Sequence, residues 1–162
     1  MDINHPNHVW AIDITYIPMK KGFLYLTAII DIYSRYVVGW GISNTLEAEA
    51  TLSVLKQAIK DHGKPEIINS DQGSQFTCED WNDYLKSENI QISMDGKGRA
   101  TDNIFIERFW RSLKYDYVYL NPANDGVELY QGLKEYIHYY NHQLHHQGIG
   151  RQIPADLYQP AA

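Results

Sequence analysis

The stretch Trp10-Ala11-Ile12-Asp13-Ile14-Thr15-Tyr16-Ile17 sets one carboxylate in a run that is otherwise apolar, β-branched or aromatic. Such residues favour a pleated strand. The apolar side chains fall on both alternating faces, Trp10, Ile12 and Ile14 on one and Val9, Ala11 and Ile17 on the other. A strand patterned this way is covered on both sides, so Asp13 interrupts a central, buried strand. An ionised Asp there is costly unless it is paired, hydrogen-bonded or metal-bound. No Lys or Arg lies within the strand to neutralise it.

Working outward, residues 23–31 and 36–42 read as two further strands, separated from the first and from each other by the short turns Met19-Lys20-Lys21-Gly22 and Ile32-Tyr33-Ser34-Arg35. Connections this short make antiparallel neighbours. Asn44 and Glu47 are spaced as a capping box, and Leu46, Ala50, Val54, Leu55, Ala58 and Ile59 follow at helical spacing until Gly63 and Pro65. A short strand over 66–70 leads into the turn Asp71-Gln72-Gly73-Ser74. Thr77 and Asp80 are placed to cap the next helix, with Phe76 and Trp81 as its hydrophobic staple. A fifth strand spans 90–93, and Met94-Asp95-Gly96-Lys97-Gly98-Arg99-Ala100 reads as a mobile loop before helices near 102–117 and 125–142. The order βββαβαβαα predicts an α/β fold: a five-stranded mixed sheet, a three-strand antiparallel meander plus two parallel strands, flanked by helices. That order resembles the ribonuclease H-like arrangement.

A chain of 162 residues with 44% hydrophobic content can bury one substantial core, so 1–162 is expected to be a single domain, with an irregular, surface-lying tail over about 143–162. No apolar run approaches the length of a membrane helix, and residues 1–8 are polar, which points to a soluble cytoplasmic protein without membrane partners. The one cysteine, Cys78, excludes an internal disulfide framework. A net charge of -6 argues against bulk electrostatic binding of nucleic acid. The distribution changes this, because residues 97–114 hold Lys97, Arg99, Arg108, Arg111 and Lys114 against only Asp102 and Glu107.

Three carboxylates stand out by position: Asp13 in its strand, Asp71 at the end of the fourth strand, and Glu107 early in a helix that follows a glycine-containing loop. Oxygen ligands converging from separate elements are what Mg²⁺ or Mn²⁺ requires. Asn103, Glu107, Arg111 and Lys114 share one helix face, setting a carboxylate beside cations suited to phosphate. Taken singly, each acid has an ordinary explanation. Asp13 could be satisfied by backbone donors, Asp71 could shape a turn, and Glu107 could pair with Arg111. His138, His142 and His146 recur every four residues, a spacing that can bind zinc, but it more simply describes a polar helix end. Tyr136, Tyr139, Tyr140 and Trp110 could stack on bases, but aromatics at helical spacing more often build core. Asp31, the nearest rival ligand, is expected to pair with Arg35 at a strand end.

The segments Trp10 to Tyr16, Asp31-Ile32-Tyr33-Ser34-Arg35, Ser70-Asp71-Gln72-Gly73-Ser74-Gln75-Phe76 and Asp102-Asn103-Ile104-Phe105-Ile106-Glu107-Arg108-Phe109-Trp110 resemble the catalytic core of insertion sequence three family transposases, which is retroviral-integrase-like. The 35 residues between Asp71 and Glu107 fit the family's acidic spacing. The resemblance implies that Asp13, Asp71 and Glu107 form a DDE triad binding two Mg²⁺ or Mn²⁺ ions, with Asp13 bridging both. It implies a DNA transposase or integrase that cleaves phosphodiesters at transposon ends and transfers strands. Lys97, Arg99, Asn103, Arg111 and Lys114 are then the candidate DNA-binding residues, with Gln75 assisting near Asp71. The partners implied are transposon-end and target DNA, further copies of the chain in a homo-oligomer, and a separate DNA-recognition region or subunit. Leu144 stands where the family usually has Arg. Two other functions share these features: a non-catalytic interaction module that retains the fold, and a ribonuclease H-type nuclease.

Overall fold

The computed structural model describes residues 2–94 and 103–159. Strands β1 (Val9–Pro18), β2 (Phe23–Asp31) and β3 (Val37–Ser43) form the antiparallel meander, and β4 (Ile67–Ser70) and β5 (Gln91–Met94) add in parallel. The sheet order is β3-β2-β1-β4-β5, which makes β1 the central strand. Helix α1 (Ala48–His62) links β3 to β4, and α2 (Ser74–Thr77) and α3 (Glu79–Ser87) link β4 to β5. Helix α4 (Ile104–Leu113) runs into a π-helical turn, Lys114–Val118, before α5 (Gly126–His142) and the short α6 (Pro154–Tyr158). This is the five-stranded mixed sheet with flanking helices that the element order predicts.

Both faces of β1 are covered. Val9, Ala11 and Ile17 pack with Ile106, Phe109 and Leu113 of α4 and Leu133 and Ile137 of α5. On the other side, Trp10 and Ile12 pack with Leu55 and Ala58 of α1 and Trp81 and Leu85 of α3. At the sheet edge the side chain of Asn141 substitutes for a neighbouring strand. Its Oδ1 accepts from the Val37 N–H (2.8 Å) and its Nδ2 donates to the Val37 carbonyl (3.1 Å). An otherwise open edge thereby loses one free donor and one free acceptor.

Several local expectations are corrected. The Asn44–Glu47 capping box does not form: α1 begins at Ala48 without a side-chain cap, and the Ser43 hydroxyl takes the Thr45 N–H instead (3.1 Å). Thr77 does not cap α3, whose N-cap is Cys78, although the Phe76–Trp81 ring contact is present at 5.2 Å. Asp31 and Arg35 form no ion pair. Asp31 accepts from Asn7 N, Ser34 N and Ser34 Oγ, while the Arg35 guanidinium lies 3.7 Å over the Phe105 ring. The tail is not irregular throughout. It carries a 3-10 turn, Gln147–Ile149, and α6, because Tyr158 buries its ring against Tyr36 (4.6 Å) and donates its hydroxyl to Asn7 Oδ1 (2.6 Å). The loop expected at 94–100 lies, from residue 95, outside the described residues. Among the described residues, no helix is long and apolar enough to cross a membrane.

Candidate active site

Strand register explains how two of the acids come together. The parallel pairing of β1 with β4 runs Val9↔Ile67, Trp10↔Ile68 and Ala11↔Asn69. Carried two residues further, it sets Asp13 level with Asp71, which follows Ser70 at the end of β4. Residues opposite one another in a sheet share a face. Asp13 is in phase with Val9 and Ala11, and Asp71 with Ile67, all in the core layer under α4. Beyond Ala11 the pairing of β1 with β4 stops, so Asp13 emerges half-buried at the margin of the core.

The turn after β4 then holds Asp71. Its Oδ1 accepts from the Gly73 N–H at 2.8 Å, an Asx turn of the kind an Asp-x-Gly sequence favours. Gly73 sits here because space is lacking: a Cβ at that position would lie 2.9 Å from Asp71 Oδ1 and 2.8 Å from Gln75 Oε1. Gln75, whose amide donates to the Leu46 carbonyl (3.0 Å), thus flanks the same turn.

Helix α4 supplies the rest. Glu107 is exposed in its first turn, and its N–H bonds the Asn103 carbonyl (3.1 Å). One turn later the buried Trp110 donates its indole N–H to Asp13 Oδ2 at 2.9 Å. At the start of the π turn, Lys114 donates to Thr15 Oγ1 (2.7 Å) and lies 5.3 Å over the Tyr16 ring. A π turn widens the helix by one residue and often marks a functional position. Lys114 itself shares a helix face with Glu107, two α-helical turns earlier, and from there its ammonium reaches the strand bearing Asp13.

The electrostatics tie these groups together. Burial lifts the Asp13 carboxyl to a pKa of about 6, opposed by the Trp110 hydrogen bond and one from the Ile14 backbone, and reinforced by the charges of Asp71 and Glu107. Burial pushes the Lys114 ammonium down, while Glu107 and Asp13 draw it back up. Three carboxylates therefore share one field, with the half-buried Lys114 ammonium beside them. The donor set is hard oxygen throughout, the kind that suits Mg²⁺ or Mn²⁺. As placed, no three acidic, imidazole or thiol groups among the described residues converge on one ligation point. A cation would relieve the repulsion from Asp71 and Glu107 that adds to burial in raising the Asp13 pKa.

Of the other candidates, Asn103 occupies the N-cap position of α4 without a side-chain capping bond. Arg111 lines a cavity with Arg35 and Arg108, and Lys97 and Arg99 lie outside the described residues. His138 and His142 stack at 4.4 Å, but His146 packs on Tyr140 instead, so the three histidines do not gather. Tyr136, Tyr140 and Trp110 are buried in the core, whereas Tyr139 is exposed. Leu144 packs partly buried against the core. Sequence reasoning missed the Trp110 and Thr15 contacts. Their signals were present, one helical turn after Glu107 and two strand residues after Asp13.

Two family profiles, each described as "Integrase core domain", match residues 3–100 and 88–154. The chain is similar to the transposase for insertion sequence element IS904 of Lactococcus lactis, with 37% identity over 155 residues, covering 94% of this chain and 61% of that protein. It is also 37% identical over 116 residues to transposase InsF for insertion sequence IS3A of Escherichia coli, covering 70% of this chain and 40% of that protein. The chain therefore spans about half the length of these relatives. In fold it matches the HTLV-2 integrase catalytic core domain, solved in complex with magnesium, at a TM-score of 0.76 and 22% identity, covering 96% of this chain and 98% of that one. A chain of the simian T-cell lymphotropic virus intasome, solved in complex with PP2A regulatory subunit B56 gamma, matches at a TM-score of 0.82 and 22% identity, covering 97% of this chain and 56% of that one.

Proposed function

We propose, from the premise that this chain belongs to the integrase core domain family, that it is the catalytic core of a DNA transposase, which cuts phosphodiester bonds at transposon ends and joins the freed strands to target DNA. Asp13, Asp71 and Glu107 are its metal-binding carboxylates. The observation that carries this reading is the position of Asp13: a half-buried carboxylate level with Asp71 across β1 and β4, within the field of Glu107, and held by Trp110. Two Mg²⁺ or Mn²⁺ ions held by these residues would supply Lewis-acid activation of the attacking oxygen and charge stabilisation at the leaving oxygen.

The chain's own residues do the positioning. Trp110 fixes the orientation of Asp13, the Asx turn fixes Asp71, and α4 brings Glu107 to the same face. Lys114, anchored on Thr15, places a positive charge where a phosphate would approach the carboxylates. Arg111 and Asn103, with Lys97 and Arg99 earlier in the sequence, extend the DNA contact. End recognition belongs to a region or subunit beyond this core, and pairing of two DNA ends calls for more than one copy of the chain. The experiment is a Mn²⁺-dependent nicking and joining assay on oligonucleotides carrying a transposon end, with the recognition region supplied. Asp13→Asn should abolish both steps while the circular dichroism spectrum stays native. Equal activity in that variant overturns the reading.

A further inference from the structure

On the flank of α4, Arg108 and Arg111 meet Arg35 of the β2–β3 turn around a cavity of about 580 Å³ floored by Phe105, Tyr140 and His146. None of the three guanidinium groups is in an ion pair with a described residue; the pairs present are His5–Glu66 and Lys64–Glu88. Asp31, the acid closest to Arg35 in sequence, has its oxygens taken by Asn7 and Ser34. An adjoining cavity shares Arg35, Arg108 and Phe105, and its one carboxylate is the exposed Asp2.

Arg35 is also held in place. It adopts a positive φ of 68°, its Nη1 donates to the Ile32 carbonyl, and its guanidinium stacks 3.7 Å over Phe105. Arg108 approaches the same ring at 5.8 Å. Like charges gathered around one cavity repel, and burial together with Arg108 pushes the Arg35 pKa down. A site that maintains this arrangement is complementary to a multivalent oxyanion, because guanidinium forks match phosphate geometry.

We propose that this three-arginine cavity binds a backbone phosphodiester group of DNA, gripping the duplex at a point separate from the carboxylates. The inference rests on the proposed function for the presence of DNA. Arg111 lies one turn beyond Glu107 on α4, so a backbone passing the carboxylates along that helix runs toward the cavity.

The test measures binding of a fluorescein-labelled duplex to the full chain by anisotropy in EDTA, where no cleavage occurs, between about 50 and 200 mM salt. Each lost phosphate contact lowers the slope of log K against log salt by about 0.9. Arg108→Gln should lower it by about that amount and weaken binding roughly tenfold at the low-salt end, with Arg108→Lys intermediate. Arg35→Gln should match Arg108→Gln; because Arg35 is built into its turn, the exposed Arg108 is the variant whose folding is secure. An unchanged slope and affinity in Arg108→Gln overturns the proposal. So does saturable binding of inorganic phosphate that Arg108→Gln abolishes without altering the DNA slope, or displacement of the duplex by polyglutamate at lower charge concentration than by unlabelled duplex. Nicking is scored separately: a chain that nicks DNA with no Arg108 effect loses only this cavity, whereas an Arg108-dependent slope in a chain that never nicks retains it and loses the transposase reading.

Discussion

Two aspartates illustrate what burial means at the scale of a residue. Asp31 is fully buried and Asp13 only half-buried, yet Asp13 is the one that lacks a full set of donors. Asp31 receives two backbone N–H groups and a hydroxyl, and so organises a turn. Asp13 receives the Trp110 indole N–H and a backbone hydrogen bond from Ile14, and it lies in the field of two other carboxylates. Its pKa of about 6 lies above the ordinary 3.8, so its contribution to stability is full below about pH 4 and is lost as pH rises through 6. In chelator, Asp13→Asn should therefore be more stable than the parent at pH 8, by on the order of 2 kcal/mol after allowance for partial exposure, and about equal at pH 4. Urea melts at the two pH values check this. Trp110→Phe keeps the ring packing but removes the donor. It should cut nicking by roughly 10- to 100-fold and raise the Mn²⁺ concentration needed, as loss of a group that orients a ligand does. Unaltered Mn²⁺ dependence would leave Trp110 a packing residue only.

At the scale of an element, short connections do the positioning. The one-residue step from Ser70, the end of β4, to Asp71 and the Asx turn closed on Gly73 hold the second carboxylate through local contacts. Gly73→Ala should drive the new methyl into Asp71 Oδ1 and Gln75 Oε1, costing activity by at least about tenfold through misplacement, with only a small fall in melting temperature. Comparing nicking rate with the thermal melt separates the two effects; a large loss of stability with normal residual kinetics would contradict it. For the cation the corresponding device is α4 itself: Lys114, two α-helical turns after Glu107, reaches Thr15 from the same helix face just before the helix widens.

At the scale of the whole molecule, Asp13, Asp71 and Glu107 lie on the central strand, just past the end of its parallel neighbour and on a helix packed against β1 and β2, so the proposed site depends on assembly of the sheet and α4. Ions that bind the folded chain alone stabilise it by mass action. At about 100 times its dissociation constant, Mn²⁺ should raise the melting temperature by roughly 5–10 °C, and Asp13→Asn should remove most of that shift in differential scanning fluorimetry. A shift that survives in the variant would place the ion elsewhere. Much of this assembly is legible in the sequence, because strand alternation, turn residues and helical spacing are local: the element order, the two-faced central strand and the unusual place of Asp13 all follow from neighbours in the chain. Helix caps and the fate of the tail were less legible, since Ser43 competes with Asn44 for the same turn and Tyr158 finds its partners more than a hundred residues away. What the sequence by itself determined is the order of the elements and where the candidate carboxylates fall on them, since both follow from local pattern. What only tertiary structure decided is who holds them: the Trp110–Asp13 bond, the Lys114–Thr15 bond and the gathering of Arg35 with Arg108 and Arg111 all join residues some 70 to 100 positions apart. Contacts between such distant residues depend on how sheet and helix pack, which no local pattern encodes.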